Sequence, residues 1–330
     1  MTVQAIFDTF CLPEGSSPVA CVDVGGSKVA VNVADDRGIR GTVVEPTATS
    51  GENRALADQI IRLIGQSCDR AGVALSDIAQ VGVSSCGPFV LRDGLVELAA
   101  PNLCGGLAGV ARGLPNHWQT ALLEAPLRDQ FACVRVENDG IGALEAERRW
   151  GALQTDGQPL ANCAYVTWST GIGTGLCVDG RVLRGKNGNA GHAGHLFVST
   201  HSDALCGCGN LGDVEGLTGG NAIARRFAAQ GYADAAMLFD AVYAGDTHAI
   251  AIVDGLCEVL GRMLYNLIVT LDLTRISLGG SVYWHHRDYL LMRLRSVIHG
   301  KLRALTDGCE LVSAGLGERV GDLGALALVV

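Results

Sequence analysis

The chain has 330 residues, 48% of them hydrophobic and 18% charged, which is enough apolar material for a well-buried core and excludes a disordered chain. Its 25 basic and 34 acidic residues give a formal net charge of -9, with no lysine-arginine stripe interleaved with aromatics, so nucleic acid is disfavoured as a partner.

The N-terminal MTVQAIFDTFC contains Asp8 and no basic residue, unlike the start of a signal peptide. No apolar run reaches the length of a membrane span, and the closing ALALVV is far shorter. A cytoplasmic protein with no membrane partner is expected. Residues 19 to 24, VACVDV, read as a strand ending near an acid. Gly25, Gly26 and Ser27 form a turn, and KVAVNVADDRG is the return strand of a hairpin. Leu56, Ile60, Leu63 and Ile64 recur at helical spacing between Asn53 and Ala71. QVGVSS is a second strand and breaks at Cys86-Gly87-Pro88. The glycine-rich stretch from Gly105 to Pro115 reads as loop. CVRVEN, Cys133 to Asn138, is a strand, with a helix from Ile141 to Trp150.

The pattern then repeats. AYVTWS is a strand, Thr170 to Gly175 a glycine turn, and LCVDGRVL a strand, tight turn and strand. Two such openings point to a two-lobed chain. Ile252, Leu256, Leu260, Leu264 and Leu267 mark a long amphipathic helix leading into the strand TRISLGG. Alternating strands and helices give an α/β fold class.

Several segments carry chemistry. In Asp23-Val24-Gly25-Gly26-Ser27-Lys28, glycines after a strand let backbone amides approach phosphate oxygens. Asp23 could orient magnesium or water, and Lys28 could meet phosphate charge; the same residues also make a tight structural turn. The segment matches neither the Walker nor the dinucleotide fingerprint. Ser169-Thr170-Gly171-Ile172-Gly173-Thr174-Gly175 is a candidate nest for anionic oxygens or, equally, a glycine-rich hairpin. Gly279-Gly280 could admit an adenosine face. Asp139, at a strand end, is placed to accept the proton of an attacking hydroxyl, and also to cap the following helix.

Of the twelve cysteines, Cys21, Cys68, Cys163 and Cys177 lie among apolar residues and read as small hydrophobes in a reduced compartment. Cys206 and Cys208, with His195, offer three zinc ligands, and Asp213 a fourth, unless it is a solvated turn acid. Hydrolysis by a zinc-bound water is the competing idea; it needs an open coordination position and a base such as Glu215.

In order and spacing these segments resemble the ROK family of repressors, open reading frames and sugar kinases, over nearly the whole chain. The resemblance runs from Asp23 to Lys28 through Gly87-Pro88, Pro101-Asn102-Leu103 and Glu137-Asn138-Asp139. It continues through Ser169 to Gly175, His195, the Cys206 to Glu215 block, the late Gly279-Gly280 and the Gly315 to Leu326 stretch.

The resemblance implies an actin-like ATPase (ribonuclease H-like) fold with two lobes around a central cleft. Residues 1–137 with about 311–330 would form the small lobe; 138–310 would form the large lobe, carrying the His/Cys loop and a homodimer surface. It implies Mg2+ and ATP as donor, possible structural Zn2+, and a hexose acceptor phosphorylated at the 6-hydroxyl, glucokinase-like. The alternatives are an amino sugar, an N-acetylhexosamine or a cyclitol, or a non-catalytic sugar-sensing protein. Asp139 would be the general base. Gly87, Asn102, Asn138, His192, His195 and Glu215 would face the sugar. Asp23, Gly25, Gly26, Ser27, Lys28, Thr170, Gly171, Gly173, Gly279 and Gly280 would serve ATP. The residues before the first phosphate strand are too few for the helix-turn-helix domain of the repressor branch. Two departures stand out: His192 replaces the glutamate of the AGExGH pattern, and Asp213 replaces the third cysteine of the zinc motif.

Overall fold

The computed structural model describes residues 10–199 and 204–330. The first nine residues, part of the segment read above for a signal peptide, lie outside them. The described chain forms two compact units. One comprises the residues up to Ala146, Arg184–Ala190 and Arg319–Val330; the other comprises Glu147–Leu183 and Gly191–Glu318.

In the first unit β1 (Val19–Val24), β2 (Lys28–Asp35), β3 (Gly38–Pro46), β4 (Gln80–Ser85) and β5 (Val134–Asn138) make a sheet of order β3-β2-β1-β4-β5. The β1–β2 and β2–β3 pairs are antiparallel; β1–β4 and β4–β5 are parallel. The second unit repeats this with β6 (Cys163–Trp168), β7 (Ile172–Val178), β8 (Arg181–Val182), β9 (Arg275–Gly279) and β10 (Glu310–Ser313), in the order β8-β7-β6-β9-β10. Here too the first three strands in sequence pair antiparallel and the other pairings are parallel. The repeat read in the sequence is therefore a repeat of topology, and the fold is the two-lobed ribonuclease H-like α/β architecture.

Helix α1 (Ala55–Ala71) buries Leu56, Ile60, Leu63 and Ile64, the residues whose spacing marks it. Each contributes about 1.5–3 kcal/mol by leaving water. The helix stops at Gly72, whose left-handed backbone (φ 66°) lets its N–H reach back to the carbonyls of Cys68 and Asp69. Helix α2 (Asp139–Trp150) follows β5 directly. In the second unit α3 (Val214–Thr218) and α4 (Thr247–Leu271) precede β9, and α5 (Arg287–Ile298) follows it. The Asp246 carboxylate caps α4 through the His248 and Ala249 N–H groups. Leu256, Leu260, Leu264 and Leu267 of α4 are buried, while Ile252 lies at the margin of that core.

The final helix, α6 (Val320–Ala327), belongs to the first unit and packs on β1 and β4. A side chain at Gly82 of β4 would overlap the Ala325 carbonyl, so the helix backbone lies directly on the strand.

One expectation is corrected. The glycine turn read from Thr170 to Gly175 closes by Gly171, because β7 begins at Ile172. Gly173 and Gly175 are ladder residues opposite Thr167 and Tyr165. Alternate glycines reduce strand propensity without forbidding the extended backbone, and the ladder with β6 settles the conformation. The tight turn after β7 is present, with Asp179 and Gly180 both in the left-handed region at φ 50° and 73°.

Candidate active site

In the first unit, the turn from β1 to β2 is held by the Gly25 N–H donating to Lys28 O at 2.9 Å and by the Thr47 hydroxyl donating to Gly25 O at 2.8 Å. A side chain at Gly26 would overlap the Asn102 amide, so the glycine admits exposed Asn102 to the turn. Ser27 and Lys28 are exposed. Gly87 precedes Pro88 through a cis peptide. The Cys86 N–H just before it donates to Val24 O at 2.8 Å, tying this loop to the end of β1.

Asp139 is exposed at the junction of β5 and α2, while Asn138 beside it is buried. The Asn138 side-chain oxygen Oδ1 accepts the Gly140 N–H at 3.0 Å. The Gly140 N–H also donates to the Asp139 carboxylate at 2.8 Å. The capping role read for Asp139 is corrected: the helix begins at Asp139, and the residue at the cap position, whose side chain accepts the Gly140 N–H, is Asn138. Partly buried Asp23 has its carboxyl pushed up to about 7, first by burial, then by the charges of Asp139 and Asp322, with Lys28 opposing. The charges of Asp139 and Asp322 thus bear on Asp23 near the carboxyl end of β1, an environment that a divalent cation would relieve. Burial, with Asp139 and Asp23, pushes the Cys86 thiol well above its ordinary range, which removes it as a nucleophile.

In the second unit, the Ser169–Gly171 turn is closed by the Ser169 N–H donating to Gly171 O at 3.0 Å. The Gly220 and Asn221 N–H groups donate to the carbonyls of Ser169 and Thr170 at 2.8 and 3.1 Å, and Thr170 is exposed. The Glu215 carboxylate accepts the Ile172 N–H at 3.0 Å, and a side chain at Gly171 would overlap it. At the end of β9, a side chain at Gly279 would overlap the Tyr165 hydroxyl. One at Gly280, whose φ is 87°, would meet the Thr167 hydroxyl and lie 2.6 Å from the Trp168 carbonyl. Packing against β6 therefore requires both glycines.

His195, Cys206, Cys208 and Asp213 converge, with one ligand atom from each within 4.8 Å of the others. His195 Nδ1 lies 3.3 Å from Asp213 Oδ2 and 3.6 Å from Cys206 Sγ, and Cys208 Sγ lies 3.2 Å from the same carboxylate oxygen. A tetrahedral zinc with bonds of ~2.0–2.3 Å separates its ligands by roughly 3.3–3.8 Å, so the donor set fits that ion. Asp213 is fully buried, which corrects the solvated-acid alternative. Its other oxygen caps α3 by accepting the Gly216 N–H at 2.7 Å. Burial alone would raise the Asp213 carboxyl; hydrogen bonds from His195, Gly216 and the two thiols outweigh it and hold the group below its ordinary value. Four protein donors fill a tetrahedral shell and leave no position for a reactive water, which argues against zinc hydrolysis. His192 stacks on His195 with ring centroids 6.1 Å apart.

The structure thus gathers Asp23, Gly25, Gly26, Asn102, Gly87, Asn138 and Asp139 in one unit. Thr170, Gly171, Glu215, His192, His195, Cys206, Cys208 and Asp213 lie in the other, with Gly279 ending the strand beside β6 and Gly280 following it. Asp322 gives no functional signal in the sequence. It is a first-turn acid of α6, a common helix feature, and only the packing of α6 on β1 gives it meaning.

A family model described as the ROK family matches residues 19–330. Among characterised proteins, the N-acetylmannosamine kinase of Yersinia pestis (strain Pestoides F) is 31% identical over 271 residues, covering 79% of this chain and 82% of that protein. The glucokinase of Aeropyrum pernix is 27% identical over 332 residues, covering 94% and 96%. Among solved structures, the ROK hexokinase from Thermus thermophilus shares 30% identity with a TM-score of 0.75, covering 94% of this chain and 97% of that one. A ROK family glucokinase from Streptomyces griseus, in complex with glucose and AMPPNP, shares the fold at 23% identity and a TM-score of 0.69, covering 93% and 97%.

Proposed function

Since the chain belongs to the ROK family, we propose that this ATP-dependent sugar kinase phosphorylates the primary 6-hydroxyl of an N-acetylhexosamine, with Asp139 as general base. ATP-dependent phosphorylation of a sugar follows from the family; the acceptor, its hydroxyl and the residue roles are the proposal. The observation that carries the roles is the exposed Asp139 carboxylate at the end of β5, whose charge reaches Asp23 beside the first glycine turn.

Asp139 takes the proton of the sugar hydroxyl as the bond from that oxygen to the γ-phosphorus forms and the bond from the γ-phosphorus to the β-phosphate oxygen breaks, releasing ADP. Phosphoryl transfer asks little covalent chemistry of a protein, so the remaining groups orient and neutralise. Gly26, Ser27, Thr170 and Gly171 offer backbone or hydroxyl groups to phosphate oxygens, Gly25 and Gly173 keep the approach free of side chains, Lys28 offers charge, and Gly279 and Gly280 flank the adenosine. Asp23 would hold Mg2+, which when bound would neutralise phosphate charge and lower the raised Asp23 carboxyl. Gly87, Asn102, Asn138, His192, His195 and Glu215 contact the acceptor. His195 Nδ1, Cys206, Cys208 and Asp213 would hold zinc, which would fix the His195 ring and leave Nε2 for the acceptor.

An acetylated amino sugar is favoured over glucose by the higher identity to the N-acetylmannosamine kinase, and by His192, a residue able to donate or accept where a glutamate only accepts. Glucose is the second reading, favoured by the fuller coverage of the Aeropyrum pernix glucokinase. We also propose a homodimer formed through the second unit, where Leu196, Phe197, Leu205 and Leu211 are exposed.

The test is ADP release from Mg-ATP with N-acetylmannosamine, N-acetylglucosamine, glucose and cyclitols, run beside Asp139→Asn. Highest kcat/KM on an N-acetylhexosamine, lost in the variant, supports the proposal. Preference for glucose moves the assignment to the second reading, and full turnover by Asp139→Asn removes the base.

A further inference from the structure

Glu147 lies two turns into α2 and belongs to none of the turns above, yet it is fully buried. Its Oε2 accepts hydrogen bonds from the Ala152 N–H at 2.8 Å, the Ser277 hydroxyl at 3.0 Å and the Gly315 N–H at 3.0 Å. Its Oε1 accepts the Leu316 N–H at 2.8 Å. All four partners are donors, so a carboxylate satisfies them and an amide does not. The surroundings are shaped to it. A side chain at Gly151 would lie 2.5 Å from the Glu147 carboxyl carbon, and one at Gly315 would lie 2.6 Å from the Ala152 nitrogen.

Burying a carboxylate is costly, and this one is spent on a particular place. Ser277 lies in β9, two residues before Gly279, and Gly315 and Leu316 follow β10, which runs parallel to β9 with Leu278 opposite Ser313. The Ala314 N–H donates to Leu278 O at 2.8 Å, so the segment after β10 lies against the end of β9. A side chain at Gly317 would in turn lie 2.8 Å from the Trp284 ring, which is on the short helix that follows Gly280. Ligands of parallel sheets bind outside the carboxyl ends of the strands, and Glu147 connects the two adjacent ends.

We propose that Glu147 is a positioning residue for the nucleotide. By fixing the Gly315–Leu316 backbone to β9 it sets the Gly279–Gly280 turn at the height the adenosine needs. This rests on the reading of that turn as nucleotide-facing.

Glu147→Gln tests it, because the side-chain NH2 then confronts a backbone or hydroxyl donor while the size is kept. The Kd for Mg-AMPPNP, read by calorimetry without turnover, is expected to rise about tenfold, KM for ATP with it, while KM for the acceptor stays put and kcat falls much less. A lower melting temperature with unchanged nucleotide Kd would make the residue merely structural and overturn the proposal, as would an equal loss of acceptor and nucleotide affinity. If Glu147→Gln does not fold, Ser277→Ala, which removes one of the four bonds, carries the same test with an expected two- to threefold rise (about one weak hydrogen bond). A wild-type protein that binds Mg-AMPPNP but phosphorylates no sugar would defeat the proposed function and leave this inference standing.

Discussion

The Glu215 carboxylate accepts the Ile172 N–H at 3.0 Å, the first amide beyond the Ser169–Gly171 turn, while its other oxygen faces Cys206 Sγ at 3.6 Å. One side chain thus joins the proposed phosphate turn to the cluster of His195, Cys206, Cys208 and Asp213. Gly171 has no side chain because that carboxylate occupies the space. Gly171→Ala should therefore displace Glu215 rather than merely crowd the turn. Loss of a few tenths of an ångström in alignment is expected to lower kcat/KM by about ten- to a hundredfold. Steady-state kinetics against both substrates checks it, and wild-type constants would show that the carboxylate has no part in binding.

Asp139→Asn keeps the shape and removes the base. We expect kcat to fall by about 10²–10⁴, with the Kd for Mg-AMPPNP nearly unchanged. Calorimetry beside single-turnover assays separates the two quantities.

The chain should carry one tightly held zinc. Elemental analysis of protein purified without added metal should find it, and a strong chelator should lower the melting temperature by several degrees. Asp213→Ala is expected to lose both the metal and the α3 cap that Asp213 Oδ1 provides. Asp213→Cys should keep the metal, since thiolate is the better zinc ligand, and lose only the cap. An Asp213→Ala protein with full zinc content would take the residue out of the ligand set.

The raised Asp23 carboxyl makes a signed prediction. Its native value of about 7 lies above the ordinary 3.8, so the folded state holds the proton more tightly than the unfolded chain. Stability from this group is present below the ordinary value, declines as pH rises through about 7, and is fully lost above it. In the absence of Mg-ATP, Asp23→Asn should match wild type in denaturant unfolding near pH 4 and exceed it at pH 8, while abolishing turnover. A difference between the two proteins that does not vary with pH would contradict this.

The sequence makes the periodic parts of the fold legible for a physical reason. VACVDV, QVGVSS and the α1 and α4 heptad-like stripes each bury side chains whose spacing is set by the element itself, so local pattern and tertiary burial agree. Gly173 and Gly175 look like loop in the sequence, and only the partner strand holds them extended. The His195, Cys206, Cys208 and Asp213 cluster is legible because two soft ligands a residue apart, with an imidazole nearby, suit tetrahedral zinc. The burial of Asp213 is not, because a turn acid and a buried acid share the same local sequence. Glu147 gives no local signal at all: in a helix it reads as one more solvated charge beside Glu145, Arg148 and Arg149. Its partners are separated from it by up to 169 residues. Asp322 is silent for the same reason, since its importance depends on which strand α6 covers.

Helix α6 has a consequence for biosynthesis. The sheet of β1 and β4 is covered by residues that are translated after the whole of the second unit, and Gly82 is pressed against a carbonyl from that late segment. On the ribosome the second unit can therefore close its core while the first still waits with an open apolar face. That interval is when a nascent chain of this kind is most exposed to wrong partners and most dependent on holding chaperones. The first half to be made is the last to be finished.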